Sequence, residues 1–188
     1  MTHDVVVVLA VLGVIGQALA AALLVVGLLA LAGVRSPLRL VRELLWGYEL
    51  WLVFVVAAAG TAGSLFLSEV AGFIPCELCW YQRICLYPLS ILALLAALAS
   101  DYRMSRYLLP LPIVGAGLAI YQLLIENGVV GQTQACLVSA PGGCATKWID
   151  EFGYVTIPTL ALTSFVLATA FLLLAAAEQP DSLRAEQD

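Results

Sequence analysis

The sequence predicts an all-α membrane protein, a four-helix transmembrane bundle preceded by one additional N-terminal transmembrane helix. Of the 188 residues, 63% are hydrophobic and 11% are charged, whereas about 25% of the residues in a soluble domain are charged. Five apolar stretches have the length of about 17–25 residues that a membrane-crossing helix requires. They are residues 5–34, 50–68, 80–99, 107–125 and 155–177.

The first apolar stretch differs from a secretion signal. A signal peptide has a basic start and an apolar core of about 7–15 residues, but this chain begins Met-Thr-His-Asp and its first apolar run is longer. We therefore interpret residues 1–42 as an extra transmembrane helix and a short basic cytoplasmic connector, separable from the rest. Residues 43–177 form the predicted bundle, with an extracytoplasmic cysteine loop at 127–154. Residues 178–188 form a polar cytoplasmic tail.

Small and aromatic residues predict two details of the packing. Glycine lets membrane helices approach closely, and we expect such contacts at Gly60, Gly63, Gly115 and Gly117. Residues 147–154 read Lys-Trp-Ile-Asp-Glu-Phe-Gly-Tyr. Because Trp and Tyr prefer the membrane–water interface, we predict a short interfacial helix there.

The positions of the basic residues predict the orientation in the membrane. Lys and Arg are enriched in cytoplasmic loops. With five alternating spans, Arg83 and Lys147 belong to the opposite side from the other basic residues. The N-terminus and all four paired cysteines are then outside, where disulfides persist. The residues predicted to be cytoplasmic are Arg35, Arg39, Arg42, Arg103, Arg106 and Arg184.

Cys76 and Cys79 form a Cys-x-x-Cys pair at the predicted start of the third span, directly after Pro75. The unpaired N–H groups and the dipole of a helix N-terminus stabilise a thiolate. Arg83 follows Cys79 by four residues and lies on the same helix face. An arginine inside a membrane marks a functional site, so we expect it to stabilise the Cys79 thiolate or to bind a quinone carbonyl. The alternative is an arginine that reaches the lipid headgroups.

A second cysteine pair, Cys136 and Cys144, lies in the loop at 127–154. A disulfide in such a loop is expected to be accessible to the thiolate of another protein. A structural cross-link is the alternative. A four-cysteine zinc site is disfavoured by the spacing of this pair and by the remote position of His3. Cys85 is expected to pack as a small hydrophobic residue without a redox role.

These motifs resemble the disulfide bond formation protein B (DsbB) family, most closely its BdbC subgroup. Residues 76–83, Cys-Glu-Leu-Cys-Trp-Tyr-Gln-Arg, resemble the core motif of the family. Residues 144–162 resemble a second family pattern through the pair Lys147-Trp148 and the segment Ile-Pro-Thr-Leu-Ala-Leu that begins at Ile157. The resemblance covers residues 48–177, and therefore four spans, but not the first.

The resemblance implies a membrane enzyme, a protein-dithiol:quinone oxidoreductase of the bacterial cell (inner) membrane. Its partner would be an extracytoplasmic thioredoxin-like protein of the DsbA type. The reduced partner would attack the disulfide at Cys136, and Cys144 would then exchange with Cys76. Cys79 would pass the electrons to ubiquinone or menaquinone beside Arg83.

One departure from the family concerns the quinone site. The family often carries a histidine on the next span where this chain has Tyr121-Gln122. The side chain of Gln122 can hydrogen-bond a quinone carbonyl, but it takes up no proton at neutral pH. We therefore include Gln122 with Cys79 and Arg83 in the predicted quinone site.

Other functions remain open from the sequence. In enzymes similar to vitamin K epoxide reductase the loop pair precedes the membrane Cys-x-x-Cys, whereas here Cys76 and Cys79 come first. A conduit that carries electrons outward would use the same residues, because the direction depends on the reduction potentials of carrier and partner. A non-catalytic scaffold with structural disulfides is the alternative outside the enzymes.

Overall fold

The computed structural model describes residues 2–177, and the all-α prediction is confirmed there. Five helical segments in this range are long and apolar enough to cross a membrane: His3–Leu31, Glu49–Val70, Glu77–Ala99, Met104–Glu126 and Ile157–Ala177. The predicted tail at 178–188, with Arg184, lies outside the described residues. The α-helices are α1 (Thr2–Leu31), α2 (Ser36–Leu45), α3 (Glu49–Leu65), α4 (Glu77–Ala99), α5 (Met104–Leu108), α6 (Pro110–Glu126), α7 (Gln134–Ser139) and α8 (Ile157–Ala177).

Helices α3, α4, α6 and α8 form the bundle, and adjacent helices in it alternate in direction. Arg83 of α4 hydrogen-bonds Ser64 of α3, and one turn further along α4 Leu86 lies against Gly60. This order makes α3 and α4 antiparallel. Phe165 of α8 is fully buried and belongs to the largest core cluster, to which α3, α4 and α8 all contribute. The bundle therefore encloses a continuous apolar core.

The two ends of the bundle differ in chemistry. The α1–α3 connection and the α4–α6 connection carry Arg35, Arg39, Arg42, Arg103 and Arg106 and lie at one end. The start of α4 and the α6–α8 loop, which carry the four paired cysteines, lie at the other end. The structure thus places these five arginines at the end opposite the four paired cysteines, as the sequence predicts.

Helix α1 packs on the bundle through its small residues. A Cβ atom added at Gly13 would collide with the side chain of Leu160, and one added at Gly16 would lie 3.0 Å from Thr163. This order makes α1 parallel to α8. The Tyr154 hydroxyl also donates to the Gln17 side chain at 3.1 Å. The small residues of α1 permit this close approach.

The basic connector is a helix, where we predicted only a short link. Pro37 lies in the first turn of α2, where its missing N–H costs little. Arg42 donates from Nη2 to the carbonyl oxygen of Ala177 at 2.7 Å. Since the last carbonyls of a helix have no partner within the helix, this bond fixes α2 to the end of α8.

Three of the four predicted glycine contacts are present. An added Cβ would lie 3.1 Å from Leu86 at Gly60 and 3.3 Å from Leu9 at Gly63, and at Gly115 it would collide with the Phe165 ring. At Gly117 no atom lies within 4 Å. The prediction for Gly117 is therefore wrong, because this position faces away from the neighbouring helices.

The predicted interfacial helix at 147–154 is absent from the structure. Phe152 and Gly153 have positive φ angles of 56° and 77°, which an α-helix does not tolerate. The Trp148 ring instead stacks on Phe73, with ring centroids 5.4 Å apart. The segment therefore folds back as a turn. Pro158 occupies the first turn of α8, where its missing N–H costs little.

Gly115 offers a test of the bundle packing with Gly117 as its control. We expect Gly115→Ala to destabilise the protein by about 1–3 kcal/mol, because overpacking forces the Phe165 ring to move. Gly117→Ala adds a methyl group in open space, so it should leave stability unchanged or raise it slightly. Thermal unfolding in detergent compares the two variants. Equal stability would show that the close contact of α6 with α8 does not matter.

Candidate active site

Cys76 caps the N-terminus of α4, as the sequence predicts. Its backbone is extended, with φ −72° and ψ 172°, and its sulfur accepts a hydrogen bond from the Cys79 N–H at 3.4 Å. Pro75 explains why the helix begins here, because a residue with fixed φ that lacks an N–H precedes the first turn. The cap places both sulfurs at the positive end of α4.

The two sulfurs of the Cys-x-x-Cys pair lie 2.9 Å apart, and both residues are free thiols. The hydrogen bond with Cys79, together with burial, raises the pKa of the Cys76 thiol. Cys76 is 4% exposed, whereas Cys79 is partly exposed and lines a cavity inside the bundle. The two thiols thus differ in both proton affinity and surroundings.

Gln122 of α6 contacts both thiols. Its Nε2 lies 3.4 Å from the Cys76 sulfur and 3.5 Å from the Cys79 sulfur. Its Oε1 accepts a hydrogen bond from Gln82 Nε2 at 2.8 Å. Since Gln82 occupies the oxygen, the amide N–H groups face the sulfurs. Gln122 is not among the residues that line the cavity beside Cys79.

Arg83 lies inside the bundle and is 8% exposed. Its Nε donates to the Ser64 hydroxyl and its Nη2 to the Ser64 carbonyl oxygen, both at 2.9 Å. Its guanidinium carbon lies 5.1 Å from the centre of the Trp80 ring, a cation–π contact. Its burial contradicts the alternative interpretation, in which the Arg83 side chain reaches the lipid headgroups.

A cavity of about 230 Å³ lies between α1, α3, α4 and α8. Cys79, Gln82 and Arg83 line it from α4, and Ser64 lines it from α3. Most of the remaining wall is aliphatic or aromatic. Such a cavity, apolar with a few converging polar groups, is typical of a small-molecule site.

Cys136 and Cys144 form a disulfide with a Cα–Cα distance of 5.3 Å. They share a buried cluster with Cys76, Leu78 and Ile125. Each of the two bonded cysteines is 1% exposed. The prediction of an accessible loop disulfide is therefore wrong, because the loop packs onto the ends of α4 and α6.

Short-range hydrogen bonds hold the first half of this loop. The Thr133 hydroxyl caps α7 by accepting from the Cys136 N–H at 3.2 Å. The Ser139 hydroxyl donates to the Cys136 carbonyl at 2.8 Å and accepts from the Glu77 N–H at 3.1 Å. Ser139 therefore connects α7 directly to the first turn of α4.

A tight turn positions the second cysteine of the loop. Gly142 and Gly143 have φ angles of 78° and 72°, a conformation that favours glycine. The Gln132 side chain accepts from the Ala145 N–H at 3.3 Å and lies against Gly143. These contacts hold Cys144 beside the N-terminus of α4, in the same buried cluster as Cys76.

Glu126 is a polar residue of the site that the sequence analysis missed. Its Oε2 accepts a hydrogen bond from the Thr156 hydroxyl at 2.9 Å. It lines a small pocket of about 10 Å³ together with Cys76, Cys79 and Gln122, a space about the size of one water molecule. The sequence could have indicated Glu126, because it lies one turn after Gln122 on the same face of α6.

Two further contacts were also missed, those of Gln82 and Ser64. The signal in the sequence was a polar side chain inside an apolar span, which requires a partner. Cys85, by contrast, is 7% exposed and packs in the main core cluster, as predicted.

A five-span helical protein with a helix-capping dithiol beside a buried disulfide defines a class, that of membrane proteins of disulfide bond formation. Comparison with known families supports this class. The model of the family "Disulfide bond formation protein DsbB" matches residues 45–175. The chain belongs to the DsbB family and is BdbC-like.

Three relatives illustrate the similarity. Disulfide bond formation protein C of Bacillus subtilis is 41% identical over 134 residues, which cover 70% of this chain and 95% of the relative. A probable disulfide formation protein of Deinococcus radiodurans is 42% identical, covering 66% and 86%. One of Coxiella burnetii is 36% identical, covering 72% and 92%. No solved structure matches the chain.

Gln122→Leu tests the amide contact with the thiols. Hydrogen bonds to a charged group contribute about 1.5–3 kcal/mol, so we expect alkylation of the Cys76/Cys79 pair at neutral pH to slow about tenfold or more. The rate is measured with iodoacetamide in a Cys85→Ala background. Asn127→Leu is the control, because the Asn127 amide donates to the Leu123 carbonyl on an exposed surface. An unchanged rate in Gln122→Leu would contradict the assigned role.

Proposed function

We propose that the protein is a protein-dithiol:quinone oxidoreductase that reoxidises an extracytoplasmic thioredoxin-like thiol oxidase of the DsbA type. Membership of a disulfide-forming family supports the general activity. The specific reaction is supported by the position of the Cys76/Cys79 dithiol, which lies between the loop disulfide and the cavity. Cys76 shares a buried cluster with Cys136 and Cys144, and Cys79 lines the cavity that contains Arg83.

The proposed reaction moves one electron pair through two disulfide exchanges. The partner dithiol attacks the Cys136–Cys144 bond at Cys136, and the partner leaves oxidised. The Cys144 thiolate then attacks Cys76 in the Cys76–Cys79 disulfide, so that the loop bond re-forms and a Cys76/Cys79 dithiol results. Oxidation of this dithiol restores its disulfide and releases two electrons and two protons, as the conversion of two thiols to one disulfide requires. The choice of Cys136 rests on the family resemblance.

The residues of the cavity fit a quinone. When bound, a quinone supplies a two-electron acceptor that also takes up two protons. Arg83 presents a guanidinium held by a neutral partner, Ser64, and it would donate to a carbonyl oxygen. Cys79 is the thiol that lines the same space. Gln122, whose N–H groups face the sulfurs, would stabilise their thiolates, a role that we now favour over direct contact with a quinone.

We propose that the cysteine end faces outward from the bacterial cell membrane. The arginines of the two opposite connections would then be cytoplasmic, in agreement with the bias of Lys and Arg. The N-terminus would be outside. In this orientation the disulfides lie in an oxidising compartment.

Five Cys→Ser variants test the proposed function. We expect loss of partner-driven quinone reduction when Cys76, Cys79, Cys136 or Cys144 is replaced, because each carries one sulfur of the route. Cys85→Ser is the matched control and should retain turnover. The assay follows reduction of ubiquinone and menaquinone by a reduced thioredoxin-like partner under anaerobic conditions. Near-normal turnover in Cys76→Ser or Cys79→Ser would exclude the mechanism.

Arg83→Ala should raise the apparent KM for quinone. Loss of one charge-assisted hydrogen bond costs about 1.5–3 kcal/mol, which corresponds to about 10- to 150-fold. Arg83→Lys should recover only part of the affinity, since lysine lacks the planar guanidinium group that bridges two atoms of Ser64. Unchanged quinone kinetics in Arg83→Ala would limit the arginine to a structural role.

A further inference from the structure

Helix α1 lies outside the region that the family shares but forms part of the cavity. The family model begins at residue 45, whereas α1 ends at Leu31. Even so, four residues of α1 line the same cavity as Cys79 and Arg83. These four are Leu9, Leu12, Gly13 and Gly16.

The contacts of α1 fix its position at the junction of α3 and α8. The Leu9 side chain lies against Gly63 of α3, and Gly13 lies against Leu160 of α8. Ala10 is fully buried. Near the cysteine end, Tyr154 donates a hydrogen bond to Gln17. Helix α1 is therefore seated between two bundle helices along the depth of the cavity.

The wall contributed by α1 is chemically different from the opposite wall. Its lining residues are leucine and glycine, which have no polar side-chain groups. The polar side chains of the lining all come from other helices, and they are Ser64, Ser68, Gln82, Arg83, Thr163 and Ser164. The hydroxyls of Thr163 and Ser164 are already engaged, because they donate to the carbonyls of Thr159 and Leu160. One side of the cavity can therefore bind a polar ring, and the α1 side can only bind a hydrocarbon.

We propose that α1 binds the isoprenoid side chain of the quinone and determines the preference of the enzyme for tailed quinones. Cys79 and Arg83 would hold the ring, and Leu9 and Leu12 would hold the isoprenoid chain, because all four line the same cavity. This inference rests on the proposed function and adds to it the part of the substrate that the extra helix recognises. It also gives this chain a binding surface that the shared four-helix region does not contain.

Leu12→Ala tests the inference with Leu24→Ala as a matched control. Leu12 and Leu24 are 56% and 57% exposed, and only Leu12 lines the cavity. Because both side chains are half exposed, neither substitution opens a core void. Binding is measured by quenching of tryptophan fluorescence with two pairs of probes. One pair consists of menaquinone and its ring analogue without a tail. The other pair consists of ubiquinone and its ring analogue without a tail.

We expect Leu12→Ala to weaken binding of the tailed quinone about fivefold, given the transfer free energy of the lost methyl and methylene groups. Binding of the tail-less analogue should not change, and Leu24→Ala should match the parent protein with both probes. Equal binding of the tailed quinone by the parent, Leu12→Ala and Leu24→Ala would overturn the role of α1 alone. If the parent protein binds neither probe, the proposed function and this inference both fail.

Discussion

The hydrogen bond between Gln82 and Gln122 is the constraint on which the arrangement of the thiols depends. Two amides inside an apolar bundle must satisfy each other, because an unpaired polar group there costs several kcal/mol. Gln82 donates to the only oxygen of the Gln122 side chain. The Gln122 N–H groups are consequently directed at the two sulfurs. The same bond fixes the register of α4 against α6, since a shift of one residue would move one amide to another face.

Neutral partners hold the positive charge of Arg83 inside the bundle. Arg83 is bound through the hydroxyl and the carbonyl of Ser64, and neither group cancels its charge. The guanidinium group therefore remains available to favour negative charge in its surroundings, where the low dielectric strengthens the effect. A carboxylate in place of Ser64 would stabilise the arginine better but would neutralise it.

The sequence predicted the features that local physics determines. Membrane thickness sets the length of the apolar runs, so the five spans were placed to within a few residues, and Pro75 located the start of α4. The turn at Phe152 and Gly153 was missed, because the aromatic spacing of that segment also fits a helix. Stacking of Trp148 on Phe73 is a contact between distant parts of the chain that no local pattern encodes. The burial of Cys136 and Cys144 and the pairing of Gln82 with Gln122 were missed for the same reason.

The near-complete burial of the Cys136–Cys144 bond has a consequence for selectivity among reductants. A thiolate must approach a disulfide sulfur directly to break it, and each of these residues is only 1% exposed. A small diffusible thiol such as glutathione has no binding energy with which to displace α7 from the end of α4. A protein that docks on the exposed Leu137 and Val138 side chains gains apolar contacts as it does so. Burial therefore limits the reduction of this disulfide through access to the sulfur rather than through reduction potential.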